Sequence, residues 1–285
     1  MPHVITHVSD TARWVAIYRA MESERPDAIF RDPYARSLGG PEGEAIVKAM
    51  PRGAMMAWPM IVRTALLDDA IARAVREGAD RIVNLAAGLD TRPWRMTLPP
   101  SLRWVDVDLP PILAYKAEKL ASHAPVCAYE AIAADLTDAD ARRATLARAT
   151  TGARCTVVIT EGLLVYLEDA QVADLARDIA AQPSVGEWLS DLASPRLLKM
   201  MMRSWGSKLA QGNAPFKFAP PNGTAFFETF GWKERDYWSI WEAAIRLGRG
   251  MPLMWLWTFL GRLQSRKRRE ASKRMSGVIA LVLAP

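Results

Sequence analysis

Residues 83–96 have the sequence VNLAAGLDTRPWRM and decide the fold class. The apolar start of this stretch predicts a short buried strand, after which Ala86, Ala87 and Gly88 carry almost no side chain. A corner this bare lets a ligand approach the backbone closely. An aspartate, two arginines and a tryptophan then crowd the same corner with charge and aromatic bulk. We therefore predict a nucleotide-sized ligand lying against the main chain here.

Short apolar strands alternate with helices through the middle of the chain. This pattern predicts an α/β fold in which a mostly parallel sheet is covered by helices on both faces. Ligands bind such sheets beyond the carboxyl ends of the strands, where the strand order reverses. The predicted strands are RIVNLAAG (81–88), LRWVDVDLP (102–110), PVCAYEAIAADL (125–136), CTVVIT (155–160), VGEWLSDLA (185–193) and SGVIALVLAP (276–285).

Two helices are clear before the first strand. Residues 9–22 predict a helix capped by Ser9 or Asp10, with its apolar residues on one side. Residues 58–80 predict a second amphipathic helix, which Gly78 ends.

The pattern loosens towards the C-terminus. Residues 194–223 are methionine-rich and then loop-like, and residues 231–270 predict an aromatic helical stretch that turns basic. We divide the chain into an N-terminal helical cap (1–60), a ligand-binding sheet core (61–195) and a lid or insertion with the last strands of the same core (196–285).

The formal net charge of +6 is concentrated in one short stretch. Residues 262–274 hold seven Lys and Arg against one Glu, a net of 7 − 1 = +6, so the remainder of the chain is neutral. A protein that binds phosphate backbones usually spreads its basic residues over a face, which argues against a nucleic-acid partner.

Cys127 and Cys155 are too few for a disulfide framework or a metal site. Without a signal sequence or a long apolar run, we expect a cytoplasmic protein.

Polar side chains also follow the next three predicted strands. Asp106 and Asp108 lie about twenty residues after the bare corner, the spacing at which a carboxylate accepts hydrogen bonds from ribose hydroxyls. One of the two could instead cap the proline-led helix that follows. Asp135 and Leu136 are placed to pair with an exocyclic amine and to cover a flat base. Glu161 ends the fourth strand, where a buried carboxylate without a partner would be costly.

A set of motifs resembles, in matching order, the leucine carboxyl methyltransferase family. These are S-adenosylmethionine-dependent O-methyltransferases; they include an enzyme that methylates a phosphatase C-terminus, and bacterial relatives thought to act on polyketide-type metabolites. The resemblance implies a class I, Rossmann-like fold with seven strands, an N-terminal helical cap and a helical insertion near the C-terminus. The motifs are TARWVAIYRAMES (11–23), DPYARSL (32–38), RT (63–64), VNLAAGLDTRPWR (83–95), WVDVDLPPILAYK (104–116), AADLTD (133–138) and TEGLLVYL (160–167).

The resemblance also implies S-adenosyl-L-methionine as the cofactor and a role for each matching position. The N-terminal helix caps the cofactor in this family, and Arg13 and Arg19 are its candidate contacts here. Ala86 stands where family members often have glycine, which implies a lower affinity or a shifted pose. Asp90 and Arg92 are expected to fix the loop and the N-terminal cap by pairing with each other or with neighbours. The implied contacts are Arg63 (methionine carboxylate), Ala86, Ala87 and Gly88 (corner), Asp108 (ribose), Asp135 and Leu136 (adenine) and Glu161 (methionine amino group).

Candidate bases for the reaction are scarce. A carboxylate acceptor is already ionised, whereas a phenol or an alcohol needs a base such as histidine. His7 could reach the acceptor site or belong to an unordered terminus, and His123 is expected at the surface. We therefore favour a carboxylate or acidic hydroxyl of a hydrophobic small molecule, such as a secondary metabolite, as acceptor. Residues 200–202 and Trp205 could line its pocket or simply form core.

Three other functions stay open at this point. The first is a protein C-terminal carboxyl methyltransferase, since the shared motifs concern the cofactor and not the acceptor. The second is a nicotinamide-dependent oxidoreductase, which the sequence AAGLDTR disfavours because it lacks two glycines of G-x-G-x-x-G. The third is a non-catalytic binding module. Residues 251–274, apolar and then basic, predict either membrane-surface contact or a pocket-forming insertion with a solvated charged helix.

Overall fold

Seven strands form a single sheet in the computed structural model, which describes residues 10–50, 53–211, 215–262 and 265–284. The strands are β1 Arg81–Leu85, β2 Arg103–Asp108, β3 Ala128–Ala133, β4 Thr156–Thr160, β5 Val185–Ala193, β6 Trp232–Ser239 and β7 Ser276–Leu283. Their order across the sheet is β3-β2-β1-β4-β5-β7-β6.

The first five strands are parallel, and β7 lies antiparallel between β5 and β6. β1 pairs with β2 on one side and with β4 on the other, so the chain winds outward from β1 and then crosses back to continue from β4. The order reverses at this point, and a crevice opens beyond the carboxyl ends of β1 and β4. The predicted mostly parallel, seven-stranded sheet is confirmed.

Helices cover both faces of the sheet. Neighbouring residues of β1 point to opposite faces, so Ile82 joins one apolar cluster and Val83 the other. The helices are α1 Asp10–Ser23, α2 Ala35–Ala49, α3 Trp58–Arg76, α4 Arg92–Arg95, α5 Pro110–Leu120, α6 Ala139–Thr150, α7 Asp169–Ala180, α8 Pro195–Gln211, α9 Ile240–Arg246, α10 Met254–Arg262 and α11 Arg266–Lys273. Residues of α3 and α9 pack in the first cluster, and residues of α6 and α7 pack in the second.

The prediction of a helical stretch over residues 231–270 is wrong in its first part. Trp232–Ser239 is the edge strand β6, which pairs with β7 along its length. Most of its side chains are charged or only half-buried, as is common for an edge strand, and a register shift between Glu234 and Asp236 breaks its alternation. Because of these two features, the sequence lacks the alternation of apolar and polar residues that would predict a strand. Among the remaining described residues, Ile240–Arg246, Met254–Arg262 and Arg266–Lys273 are helical, as α9, α10 and α11.

The N-terminal cap is built from α1 and α2. Trp14, Ile17 and Tyr18 of α1 are buried together with Ile46 and Val47 of α2. α1 is described from Asp10 onward, and Ser9, the other predicted cap, lies outside the described residues, so the cap of this helix stays a prediction. Because α1 also reaches the corner after β1, the cap covers the carboxyl edge of the sheet.

Candidate active site

A cavity of about 650 Å³ lies at the carboxyl ends of β1 to β5, within the ~300–1,000 Å³ usual for small-molecule sites. The chain that lines it comes from the strand ends, from α1 and α3, and from the region after β5. All eight residues that the sequence assigned to a cofactor line this one cavity: Arg63, Ala86, Ala87, Gly88, Asp108, Asp135, Leu136 and Glu161.

The corner after β1 owes its shape to two residues with positive φ. Gly88 has φ +52°, and a Cβ placed on it would lie 3.1 Å from the Cβ of Ala12 in α1. Ala86 has φ +53°, in the left-handed region that residues with a Cβ rarely adopt. The corner is therefore compact, and α1 lies close against it.

Asp108 faces this corner from the end of β2. Its Oδ2 accepts a hydrogen bond from the N–H of Gly88 at 2.6 Å, and its Oδ1 accepts one from the N–H of Leu109 at 2.7 Å. Burial raises the pKa of the Asp108 carboxyl above its usual value, and the two backbone donors oppose this rise. The carboxylate thus stands beside the bare corner with acceptor capacity still available for a ligand hydroxyl.

Asp106 neither faces the ligand cavity nor caps α5. It is fully buried, and its Oδ2 accepts hydrogen bonds from Lys116 Nζ at 2.6 Å and from Tyr129 Oη at 2.8 Å. The alternative that one of the two aspartates caps the following helix is also wrong for Asp108, because α5 begins after Leu109 without a side-chain cap. Asp106 instead ties β2 to α5 and β3.

Two arginines hold Glu161 at the end of β4. Its Oε1 accepts a hydrogen bond from Arg63 Nε at 3.0 Å, and its Oε2 accepts one from Arg92 at 2.8 Å. Arg63 also donates to Asp191 at 3.1 Å, and the N–H of Gly162 donates to the other oxygen of Asp191 at 2.5 Å. Burial works against the charge of Glu161, but the two guanidinium groups outweigh it and lower its pKa. The cavity wall therefore carries a fixed arrangement of alternating charges.

Sequence reasoning missed Asp191, which lies in β5 and lines the same cavity. Its partner Arg63 is 128 residues away in the chain. The one available signal was an acid near the end of the predicted fifth strand, in VGEWLSDLA.

Asp90 and Arg92 pair with each other, as expected. Arg92 donates to Asp90 Oδ2 at 2.7 Å and to Asp68 of α3 at 2.6 Å, and Asn84 donates to Asp90 at 3.0 Å. Although burial opposes ionisation, the cation of Arg92 leads the groups that hold the pKa of Asp90 well below its usual value. This buried network, together with Glu161, fixes the corner to α3 and to β4.

The two candidate arginines of the cap have different surroundings. Arg19 lines the cavity, where it donates to Asp32 at 2.8 Å and to the carbonyl of Leu89 at 2.6 Å. Arg13 stacks on the ring of Tyr115, 4.0 Å from its centroid, and donates to its hydroxyl. Arg19 is therefore the arginine of α1 that joins the cap to the corner.

Asp135 and Leu136 form the cavity wall after β3. Asp135 is exposed, and its Oδ1 accepts hydrogen bonds from the N–H of Thr137 at 2.9 Å and from its hydroxyl at 2.7 Å, which lower its pKa. The carbonyl of Leu136 accepts a hydrogen bond from Arg142, whose other partner is Asp178. Arg142 of α6 and Asp178 of α7 thus hold the turn after β3 in place.

The part of the cavity away from the strand ends is apolar. Its lining includes Met56, Trp58, Met60, Met200, Met201, Phe216 and Trp241. Residues 200–202 are half-buried or exposed, and the first two line the cavity. The side chain of Trp205 and all of His7 lie outside the described part of the molecule. His123 is exposed, as expected, and does not line the cavity.

Within the described ranges, no group of His, Cys, Asp and Glu could hold a metal ion. Across the same residues, no helix combines the length and the apolar character that spanning a bilayer requires. Cys127 and Cys155 are free thiols.

The model of the leucine carboxyl methyltransferase family matches residues 12–180, more than half of the chain. This chain belongs to the leucine carboxyl methyltransferase family. Two relatives carry the name "Putative S-adenosyl-L-methionine-dependent methyltransferase". The one from Streptomyces coelicolor is 33% identical, with 86% of this chain and 89% of the relative covered. The one from Streptomyces avermitilis is 32% identical, with 84% and 87% covered.

Solved structures support the same fold. A DUF574 family protein of Streptomyces avermitilis matches with a TM-score of 0.61 at 14% identity, covering 99% of each chain. A "putative methyltransferase" from Thermobifida fusca matches with a TM-score of 0.56 at 15% identity, covering 100% of this chain and 97% of the other. The class I methyltransferase fold implied by the sequence is thus confirmed.

Proposed function

We propose that this protein transfers the methyl group of S-adenosyl-L-methionine to a carboxylate or acidic hydroxyl of a hydrophobic small molecule. The family and its relatives make the chain an S-adenosylmethionine-dependent methyltransferase. The nature of the acceptor is inferred from the cavity. One observation carries that inference: among the described residues no histidine lines the cavity, and its carboxylates Asp90, Glu161 and Asp191 each accept hydrogen bonds from arginine.

The described donors and acceptors fit the cofactor. A zwitterionic amino acid suits a wall with both charges, so Arg63 would bind its carboxylate and Glu161 its ammonium group. Asp108 would accept hydrogen bonds from the ribose hydroxyls beside the bare corner at Gly88. Leu136 would cover the adenine. When bound, the cofactor supplies an electrophilic methyl group on a sulfonium.

The protein's own part in the reaction is alignment and the exclusion of water. Transfer requires the acceptor oxygen in line with the methyl carbon at roughly 3 Å, which a closed, rigid cavity can enforce. Glu161 and Asp90 are held ionised by arginines and are weak bases with depressed pKa values. An acceptor that arrives ionised needs no proton removed, and this favours carboxylates and acidic hydroxyls over alcohols.

The apolar lining favours a hydrophobic small molecule. Methionine side chains adapt their shape to a bulky apolar ligand, and tryptophan adds a flat surface. Met60, Met201 and Trp241 all line this part of the cavity. A protein C-terminal carboxylate is the alternative acceptor, because it too needs no base.

The test uses S-adenosylmethionine labelled in the methyl group. We would incubate the protein with hydrophobic carboxylic acids, with phenols and with leucine-terminated peptides, and then treat each product with mild base. A methyl ester releases volatile labelled methanol under these conditions, whereas a methyl ether keeps its label. We expect labelled ester or aryl ether from small hydrophobic acceptors.

A variant of the cavity lining tests whether the methyl transfer takes place in this cavity. Met201→Lys places a charge in the apolar part, so we expect it to lower acceptor methylation while cofactor binding is retained. Transfer to peptides alone would contradict the small-molecule acceptor. Transfer only to unactivated alcohols would contradict the argument from missing bases.

A further inference from the structure

The chain between β6 and β7 leaves the cavity wall and returns to it. Met251 and Met275 both line the cavity, and α10 and α11 lie between them. The proposed chemistry does not use this excursion. Two surface features there are exposed, one apolar and one basic.

The apolar feature is at the start of α10. Leu253, Trp257 and Phe259 are 57%, 57% and 56% exposed, although α10 buries Met254. They are three of the seven large apolar side chains that count as exposed in the described residues. These three lie within seven residues of sequence, whereas the other four are distributed over the rest of the chain.

The backbone at Leu253 is also strained. Its φ of +61° lies in the left-handed region, which costs roughly 1–2 kcal/mol for a residue with a Cβ. The Leu253 side chain is 57% exposed, and its carbonyl accepts hydrogen bonds from the N–H groups of Leu256 and Trp257 at the start of α10. Strained residues of this kind cluster at functional sites such as ligand clamps and switch regions.

The basic feature is α11. It buries no residue, and residues 266–269 are four consecutive exposed cations without a carboxylate partner among the described residues. The two cations that follow differ, because Lys273 pairs with Glu242 at 2.8 Å and Arg274 pairs with Glu234 at 2.9 Å. The unpaired cations thus form a distinct group beside the exposed apolar side chains in sequence.

We propose that Leu253, Trp257, Phe259 and residues 266–269 form a docking surface for an anionic phospholipid bilayer. Apolar side chains enter the interfacial layer of such a bilayer, and each Lys or Arg near its surface is attracted by the anionic headgroups. The complementary charge identifies the occupant. A second copy of this chain would place the same cations against each other, and a nucleic acid would leave the exposed apolar residues in water.

Met251 and Met275, which flank the docking surface in sequence, line the acceptor cavity. If the proposed methyl transfer is correct, the acceptor class that this surface favours is a lipophilic acid or phenol that partitions into the bilayer. The docking test below needs neither cofactor nor acceptor, so its failure is distinct from a failure of the proposed function.

The test is sedimentation of the purified protein with lipid vesicles. We expect binding to mixed phosphatidylcholine–phosphatidylglycerol vesicles that weakens with added salt, and little binding to pure phosphatidylcholine. Removing two cations in Arg266→Gln/Lys267→Gln should weaken the partition coefficient at least tenfold, since each cation contributes about fivefold. Trp257→Ser should weaken it several-fold.

Matched variants control for general surface effects. Arg143→Gln/Arg148→Gln removes two exposed cations from α6, and Val126→Ser removes an exposed apolar side chain elsewhere. Both should bind vesicles like the parent, and all four variants should keep the circular dichroism spectrum of the parent. Absence of vesicle binding, or equal loss in the α6 variant, would overturn the proposal. So would self-association without lipid that Trp257→Ser abolishes, or binding to a DNA duplex in place of vesicles.

Discussion

Ala86 has a backbone conformation that suits glycine better than alanine. The left-handed region destabilises the folded state by roughly 1–2 kcal/mol when the residue is alanine, and glycine removes this strain. Glycine also gives the unfolded chain more conformational entropy, which lowers the free energy of unfolding by about 0.4–1 kcal/mol. We therefore expect Ala86→Gly to raise the free energy of unfolding by about 0.5–1 kcal/mol in urea denaturation.

The neighbouring residue provides the control. Ala87 is buried and is not among the residues with positive φ, so Ala87→Gly should lower the free energy of unfolding by about 0.5–1 kcal/mol. Equal effects of the two substitutions would contradict the strain that we assign to Ala86.

Asp90 predicts a specific dependence of stability on pH. Because its folded-state pKa is depressed, its contribution to stability is present above the ordinary carboxyl pKa and is lost as the pH falls through the folded value. Asp90→Asn removes the carboxylate that pairs with the buried Arg92, so we expect the free energy of unfolding to fall by about 3 kcal/mol near neutral pH.

The measurement is urea denaturation of parent and Asp90→Asn from neutral pH down to strongly acidic pH. The difference between their free energies of unfolding should shrink as the pH falls, because the Asp90 carboxylate of the parent becomes protonated. A difference that stays constant with pH would show that the charge of Asp90 is not what stabilises the corner.

Single residues of the site differ in how far the sequence could predict them. Gly88, Asp108 and Glu161 follow apolar runs, so their positions at strand ends could be predicted from local pattern alone. Asp191 could not, because its role depends on a contact with Arg63 that only the folded sheet creates. The fit of α1 against Gly88 depends likewise on packing between distant segments.

At the scale of elements, the antiparallel pair β6–β7 depends on Gly277. A Cβ there would overlap the ring of Tyr237 on β6, so either this ring or the strand backbone would have to shift. We expect Gly277→Ala to lower the free energy of unfolding by about 1–3 kcal/mol, as overpacking does.

Gly186→Ala in β5 is the matched control. Its Cβ would meet Cys155 Sγ at 3.6 Å, an ordinary contact, so the change should be neutral or slightly stabilising. If both substitutions destabilise the protein equally, close packing at Gly277 is not the cause.

β6 also shows why elements differ in how well sequence predicts them. The buried strands β1 and β4 are apolar or small nearly throughout, and their pattern is unambiguous. β6 has the sequence WKERDYWS, and its charged residues resemble those of a solvated helix. Its identity as a strand comes from pairing with β7, a long-range interaction that no local pattern contains.

At the scale of the whole molecule, one buried ion pair joins the N-terminal cap to the region after α9. Arg249 donates to Glu22 of α1 at 2.9 Å, and Glu22 is fully buried. Removing one partner of a buried pair is strongly destabilising. We expect Arg249→Gln to lower the free energy of unfolding by about 3 kcal/mol and to increase hydrogen exchange in α1.

An exposed ion pair serves as the comparison. Arg154 pairs with Asp80 at 3.1 Å but is largely exposed, so Arg154→Gln should lower the free energy of unfolding by less than about 1 kcal/mol. Increased exchange spread evenly over the molecule, and not concentrated in α1, would contradict a specific link between α1 and the region after α9.

We propose above all that the carboxyl edge of the sheet binds S-adenosylmethionine through Asp108 and its neighbours. Isothermal titration of S-adenosylmethionine and of its demethylated product tests it most directly, with Asp108→Ala and the exposed α6 variant Asp140→Ala alongside. We predict micromolar binding by the parent and by Asp140→Ala, and affinity at least about tenfold weaker for Asp108→Ala, since hydrogen bonds to a charged group contribute about 1.5–3 kcal/mol each. Absence of binding by the parent, or equal affinity in Asp108→Ala, would contradict the account.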